Sequence, residues 1–392
     1  SWTWQSSGDG SYEITEGGRE KNGTEITLSL KEDCRDYIVE FRLREIIKKY
    51  SDFVEYPILM DITREEPELD EEGKPKEGAE KKVTITEETL NSMKAIWMRP
   101  KSEVKKDEYN DFYKHISHDY TDPFKTIHYS AEGTLEFKAL LYLPSKAPFD
   151  MFQHEGIKHG INLYVKRVFI MDNCEALVPR YLRFVKGVVE SNDLPLNVSR
   201  EILQEDLIIK KIEKNVTSKI LTTLKGMMKK SKEDYINFYK EFGKVIKEGI
   251  EVDPTNKDKI KDLLLYESSK TKPGEYISLK EYTERMIADQ KNIYFLTGDS
   301  RATVDNSPHL EVFKKKDVEV LFMTEPVDEF ILPGFGEYSD KSLKSIAQGD
   351  IDLGTEEEKK IAEEQKKEVT GKYKNLIKKI EESLKEDVKE VR

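Results

Sequence analysis

With 392 residues the chain is longer than one ordinary core supports, and two or three domains are expected. Hydrophobic residues make up 37% and charged residues 36%, which allows cores but requires a large wetted surface or charged linkers. A formal net charge of −12 and a pI near 5.3 argue against nucleic acid and anionic membrane surfaces as partners. No apolar run approaches the ~20 residues that span a bilayer, so no membrane partner is expected. Cys34 and Cys174 are far apart, with no CxxC knuckle, and read as free thiols in a reducing compartment. The opening SWTWQSSGDGSYEI lacks a basic n-region, an apolar h-region and an initiator Met, which reads as the start of a fragment.

In chain order, Tyr12 and Ile14, then Ile26, Leu28 and Leu30, alternate as in half-buried strands, with the glycine-bearing stretch 16–23 as their hairpin loop. Tyr37, Ile38, Phe41, Ile46 and Tyr50 shift to helical spacing. Residues 65–82 hold eight acidic and four basic side chains and only Leu69 and Ala79 as aliphatic ones. They read as a flexible charged linker or a solvated surface loop. Residues 135–143 and 161–171 read as core strands, and helical pattern is expected from about Cys174 to Val189. The loop SNDLPLNVS interrupts it, and helix is expected again from about Arg200 and over 208–232, 233–250 and 258–266. KNIYFLTG (291–298) and VEVLFMTEP (318–326) bracket a helical segment in a βαβ-like pattern. From Glu356 a long, highly charged amphipathic helix is predicted.

Enzymatic motifs are sparse. His115 and His118 sit three apart without a Cys or HExxH partner, so a surface pair is favoured over a metal site. GxSxG, GxxxxGK[ST] and GxGxxG are missing. The basic stretch 208–232 carries eight lysines against one glutamate and reads as a solvated face or a site for an acidic partner. Residues 191–204, SNDLPLNVSREILQ, are the most informative. Pro195 biases Leu194 away from helix, and Asn197 or Ser199 can cap a helix with Arg200 in its first turn. There the macrodipole opposes the guanidinium by ~0.3–1 kcal/mol. Arg200 is therefore either an ordinary exposed arginine or one delivered to an anion in trans. Trp97, and Phe149, Met151 and Phe152 in APFDMF, are either core plugs or an adaptable apolar contact surface.

The run LYVKRVFIMDNCEALVPRYLRFVKGVVESNDLPLNVSREILQ resembles the most distinctive stretch of the heat-shock protein 90 family. EYNDFYKHISHDYTDPF, LPSKAPFDMF, QKNIYFLTG and VEVLFMTEPVDEF are similar to it as well, and RVFIMDN and HGINLYV are worded as in bacterial cytosolic members. The opening segment resembles the end of that family's ATPase domain. The resemblance implies an α/β multidomain fold. Residues 1–62 would end a GHKL-type α/β sandwich, and 63–84 would be the charged linker. Residues 85–232 would form the large α/β subdomain of an αβα middle region with the catalytic loop, and 233–335 its helical and small α/β subdomains. Residues 336–392 would begin an α+β C-terminal dimerisation domain.

The same resemblance implies an ATP-dependent, cytoplasmic stress-response chaperone that binds non-native client proteins and forms homodimers, with ATP and Mg used by the intact protein. The rival readings are an ATP-independent interaction scaffold and the middle part of another GHKL ATPase. Arg200 matches the arginine that reaches the γ-phosphate, and Gln204 and Asn197 match its catalytic loop. Leu194, Leu196 and Ser199 would support that loop. Thr24 matches an adenine-contacting position. Trp97, Phe149, Met151 and Phe152 would meet clients. The nucleotide pocket itself would lie elsewhere, so this stretch alone is expected to bind no cofactor and to be inactive.

Overall fold

The computed structural model describes residues 1–66, 82–133, 135–148, 151, 159–196, 206–288 and 290–348, and the chain divides after Lys94 into two units.

In the first unit, β1 (Trp2–Gln5) pairs antiparallel with β2 (Glu13–Glu16), Trp4 opposite Ile14. The connecting loop closes around Asp9, whose carboxylate accepts from Ser11 Oγ at 2.5 Å, Ser11 N at 2.9 Å and Ser7 Oγ at 2.9 Å. Those bonds, the Ser11 hydroxyl first, hold its pKa down to about 2. The hairpin is thus one turn earlier than its sequence suggests. The expected strand through Ile26, Leu28 and Leu30 is not formed, because its alternating apolar residues stand exposed with no strand beside them. Helix α1 (Glu40–Tyr50) follows.

Strands β3 (Leu59–Glu66) and β4 (Lys82–Thr89) pair antiparallel along their whole length, from Leu59↔Thr89 to Glu66↔Lys82. Both ends of the expected linker therefore lie in a ladder, and its centre, 67–81, falls outside the described residues. Asn91 seals the base of this hairpin. Its Oδ1 accepts from Ile58 N at 2.8 Å, and its Nδ2 donates to the carbonyls of Val54 and Tyr56.

The second unit opens with a short 3-10 turn, Ile96–Met98, and then α2 (Lys106–Ser117), which buries Tyr109, Asn110 and Tyr113 on one face. Next come β5 (Lys125–Ala131), β6 (Phe137–Leu143), β7 (Ile161–Val165), β8 (Val168–Cys174) and β9 (Lys186–Ser191). They form one sheet in the order β5-β6-β9-β7-β8, with only β7 and β9 parallel. The expected single strand 161–171 is a hairpin, turned by Lys166 and Arg167 at φ 49° and 64°. At Gly187 a Cβ would lie 2.3 Å from the Leu140 carbonyl oxygen, so only glycine lets β9 approach β6 there.

The helix expected over 174–189 is replaced by two 3-10 turns, Glu175–Leu177 and Arg180–Leu182, and then β9. Pro179 between the turns has no N–H to continue a helix and biases Val178 to extended backbone. Val188 and Val189 then find strand partners on both sides.

Two long helices pack beneath the sheet. α3 (Leu207–Lys230) buries Ile209, Ile212, Val216, Ile220 and Leu224, the 3–4 spacing of one face. α4 (Lys232–Val252), capped by Ser231, buries Tyr235, Phe238, Phe242 and Val245. Phe184 packs against α4, its ring 4.8 Å from Phe242 and 5.6 Å from Phe238.

After α5 (Lys257–Lys261) a second sheet begins with β10 (Leu265–Ser268) and β11 (Ile277–Ser278). Then follow α6 (Leu279–Glu284), β12 (Asn292–Thr297), α7 (Arg301–Asp305), α8 (Leu310–Lys315) and β13 (Leu321–Met323). Last come α9 (Pro326–Phe335), β14 (Glu337–Tyr338) and β15 (Lys341–Ser345). The order is β11-β10-β13-β12-β15-β14, with β12 parallel to both β13 and β15. Alternation splits β12. Ile293 and Phe295 join the large core with α4, while Tyr294 and Leu296 pack on the α7–α8 side with Val304, Leu310 and Phe313. The chain is thus an α/β multidomain protein. Residues 337–345 complete this sheet, and the amphipathic helix expected from Glu356 lies outside the described residues.

Candidate functional site

The informative loop leaves the C-terminal end of β9 and returns at α3, and both of its ends are held. Ser191 Oγ donates to the Glu136 carbonyl at 3.1 Å, and Asp193 Oδ2 accepts from Glu136 N at 3.2 Å. Leu194 is only 2% exposed and belongs to the large core, whereas Leu196 is exposed. At the far end Asp206 caps α3, accepting from Ile208 N at 2.6 Å and Ile209 N at 3.2 Å. Asn197, Ser199, Arg200 and Gln204 lie outside the described residues. Beside the loop's departure is a cleft of about 250 Å³ lined by Met98, Ser130, Glu132, Lys138 and Glu190, among others.

The expected contact residues divide. Trp97 is fully enclosed, with its ring 5.6 Å from Phe112 and 4.8 Å from Tyr164 and its Nε1–H donating to Glu190 Oε2 at 2.5 Å. Met151 is 4% exposed, and its carbonyl accepts from Arg183 Nε at 3.2 Å. Arg183 is itself fixed by a two-pronged pair with Glu248 at 2.6 and 2.8 Å. Both side chains are packed in the interior in this conformation. Phe149 and Phe152 lie outside the described residues. The apolar groups that the second unit does expose include Tyr120 (92%), Leu207, Val252 and Phe330. They were missed because an isolated exposed apolar residue has no sequence signature. Thr24 stands exposed in a stretch without regular structure.

His128 donates through Nε2 to the Trp97 carbonyl at 3.1 Å, and its Nδ1 meets Tyr109 Oη at 2.6 Å. Burial lowers its pKa, so the ring is neutral and Nδ1 accepts. His118 ends α2 in the left-handed region at φ 56°, which breaks the helical spacing of the pair with His115. Among the described residues no three His, Cys, Asp or Glu side chains are grouped to hold a metal ion.

One charged cluster escaped the sequence reading. Lys247, on the buried face of α4, donates to Asp328 Oδ1 at 2.6 Å and Glu325 Oε2 at 2.8 Å at the start of α9. Its ammonium lies 4.7 Å from the centre of the Tyr266 ring. The only sequence signal was a lysine interrupting an apolar stripe.

A sheet-bearing unit that ends in Leu194 on one side of this stretch and resumes at the Asp206 cap on the other fits an α/β protein of the heat-shock protein 90 class. The Hsp90 protein family model matches residues 60–392, and the chain belongs to that family. It is 57% identical over 389 residues to the chaperone protein HtpG of Geobacter sulfurreducens and 56% identical to that of Geobacter metallireducens. The HtpG of Mycobacterium tuberculosis is 46% identical over 394 residues. Each match takes in 99% of this chain, which spans about 60% of the length of those relatives.

Proposed function

We propose that this chain is the central part of an ATP-dependent molecular chaperone, supplying the catalytic-loop arginine, Arg200, to a nucleotide held by another domain. The observation that carries this reading is the loop between β9 and α3, whose ends are fixed by the core (Leu194) and by a helix cap (Asp206) within a chain of the Hsp90 family. An arginine on a loop with fixed ends reaches a phosphate in a reproducible geometry. Gln204 and Asn197 share the loop and would orient its backbone. Non-native client proteins would meet exposed apolar side chains, among which Tyr120 and Phe330 stand out in the second unit. The net charge of −12 supports protein rather than nucleic acid as the partner. Among the described residues no helix is long and apolar enough to cross a membrane; a cytoplasmic setting is proposed from the family alone. Mg would travel with ATP, and no residue described here is given a part in holding it. A homodimer would form through a C-terminal domain.

The test is to compare ATP hydrolysis by a polypeptide carrying the complete nucleotide-binding domain plus this chain with hydrolysis by the nucleotide-binding domain alone. Because an arginine supplied to a phosphoryl group from outside its pocket contributes ~10³–10⁵ in rate, the longer polypeptide should be faster by roughly tenfold or more. Equal rates would leave only an interaction scaffold.

A further inference from the structure

In the first unit an asparagine and an aspartate each precede a glycine, as Asn22–Gly23 and Asp9–Gly10. Such a pair can react with itself. The glycine nitrogen attacks the side-chain carbonyl carbon and closes a cyclic imide, because glycine has no Cβ to obstruct the approach.

The structure treats the two pairs differently. Asn22 and Gly23 are exposed in a bend outside any helix or strand. Among the described residues neither the Asn22 amide nor the Gly23 N–H has a hydrogen-bond partner to give up. Arg19 holds the bend from outside the reacting peptide, its Nε donating to the Lys21 carbonyl at 3.2 Å and its Nη1 meeting Glu25 at 2.9 Å. Asp9 is also exposed, but its carboxylate accepts from Ser11 Oγ, Ser11 N and Ser7 Oγ. A carboxyl closes the ring only when protonated, with water leaving, and those bonds, the Ser11 hydroxyl first, keep Asp9 ionised. Other asparagines are protected in other ways. Asn91 is 5% exposed, with its amide bonded to Ile58 N and to the carbonyls of Val54 and Tyr56. Asn306 precedes serine, not glycine, and donates to the Ala302 carbonyl at 2.9 Å.

We propose that Asn22 is a site of spontaneous covalent modification, deamidating through a cyclic imide with Gly23 while Asp9–Gly10 is spared. The Gly23 nitrogen gives its proton to hydroxide and bonds to Asn22 Cγ. The Cγ–Nδ2 bond breaks, and ammonia leaves. Water then opens the imide at either carbonyl, giving aspartate or isoaspartate at this position. The net change is water consumed and ammonia released, with no oxidation. Each event adds one negative charge, and the isoaspartyl product carries an extra main-chain carbon two residues before Thr24.

The test incubates the whole chain for days at mildly alkaline pH, then maps peptides by mass and by labelling with an isoaspartate methyltransferase. The peptide holding Asn22 should gain the mass of an NH2-to-OH exchange, with isoaspartate in excess, and the peptide holding Asp9 should stay unlabelled. Gly23→Ala and Asn22→Gln should each slow the change by roughly tenfold or more, since one adds a Cβ and the other enlarges the ring. Circular dichroism checks that these variants stay folded. Ser11→Ala, which removes the hydroxyl bond to Asp9, should bring isoaspartate labelling to Asp9 while leaving the rate at Asn22 unchanged. An Asn22 peptide that changes no faster than those of Asn91 and Asn306 would overturn the inference. So would equal labelling of Asp9 and Asn22 in the unmutated chain.

Discussion

Arg200→Ala, in a polypeptide that also carries a complete nucleotide-binding domain, is expected to lower kcat by on the order of 10³. The size follows from what the residue supplies. Negative charge spread over a phosphoryl group in flight is stabilised by a cation placed in advance, and water that replaces the guanidinium must reorganise at each turnover. On the proposed reading, the described residues on either side, Leu194 in the core and Asp206 capping α3, would favour such placement. Arg200→Lys should rescue little, because an ammonium has no planar fork to match phosphate oxygens. Nucleotide affinity of the isolated nucleotide-binding domain should not change, since Arg200 is not part of it. A kcat within threefold of wild type, measured by steady-state hydrolysis, would remove Arg200 from the mechanism and Gln204 and Asn197 with it.

Lys247→Met should destabilise the second unit by about 3–5 kcal/mol, the cost of stranding a buried carboxylate. Asp328 is 1% exposed and Lys247 2%, so neither charge can turn to water, whereas Glu325 is partly exposed and can. Burial raises the Asp328 pKa against the pull of Lys247. Burial also opposes the charge on Lys247, but Tyr266 and the two carboxylates outweigh it and hold its pKa above the usual lysine range. With the lysine gone, the folded-state pKa of Asp328 should rise further above its unfolded value. A raised carboxyl pKa gives stability that is present below the unfolded value and lost as pH rises through the folded one. The variant should therefore recover part of its deficit as the solution is acidified, gaining more than the wild type, whose Asp328 pKa is raised less. Adding Asp328→Leu should recover most of the loss at neutral pH, because an apolar pair can replace a buried ion pair at little cost. Urea unfolding followed by circular dichroism measures all three. A loss under about 1 kcal/mol for Lys247→Met would mean that the cluster is hydrated and does not join α4 to α9.

Elements whose cause is local were legible in the sequence. The βαβ pattern around 291–326 was readable because two short apolar runs bracket a helical one, and β12 and β13 are parallel neighbours. The helices around 208–250 announced themselves through 3–4 spacing and charge on the opposite face. Where the deciding partner is distant, the sequence misled. Cys174 to Val189 has helical spacing, but Val188 and Val189 are claimed by strands on both sides. Ile26 to Leu30 alternates correctly for a strand and has no neighbour to pair with among the described residues. The β3–β4 hairpin was hidden because its ladder runs into the charged segment, where composition outweighed the alternation of Val83 and Ile85.

The candidate site divides along the same line. Its motif, SNDLPLNVSREILQ, was legible as a string, and the residues that hold its ends were not. Trp97 finds its hydrogen-bond partner 93 residues away, and Lys247 finds its two carboxylates 78 and 81 residues away. An indole with a buried acceptor is a core residue, and one without is a surface residue. Nothing near Trp97 in the sequence distinguishes the two.

The central claim is that this chain holds the arginine of a composite ATPase and that the nucleotide pocket lies elsewhere. Isothermal calorimetry of ATP–Mg titrated into this chain tests it most directly. The account predicts no binding in the micromolar range, because no phosphate-cradling glycine loop is encoded and Thr24 stands exposed away from any regular element. A saturable one-to-one isotherm with micromolar Kd would contradict it, placing a nucleotide pocket within these 392 residues.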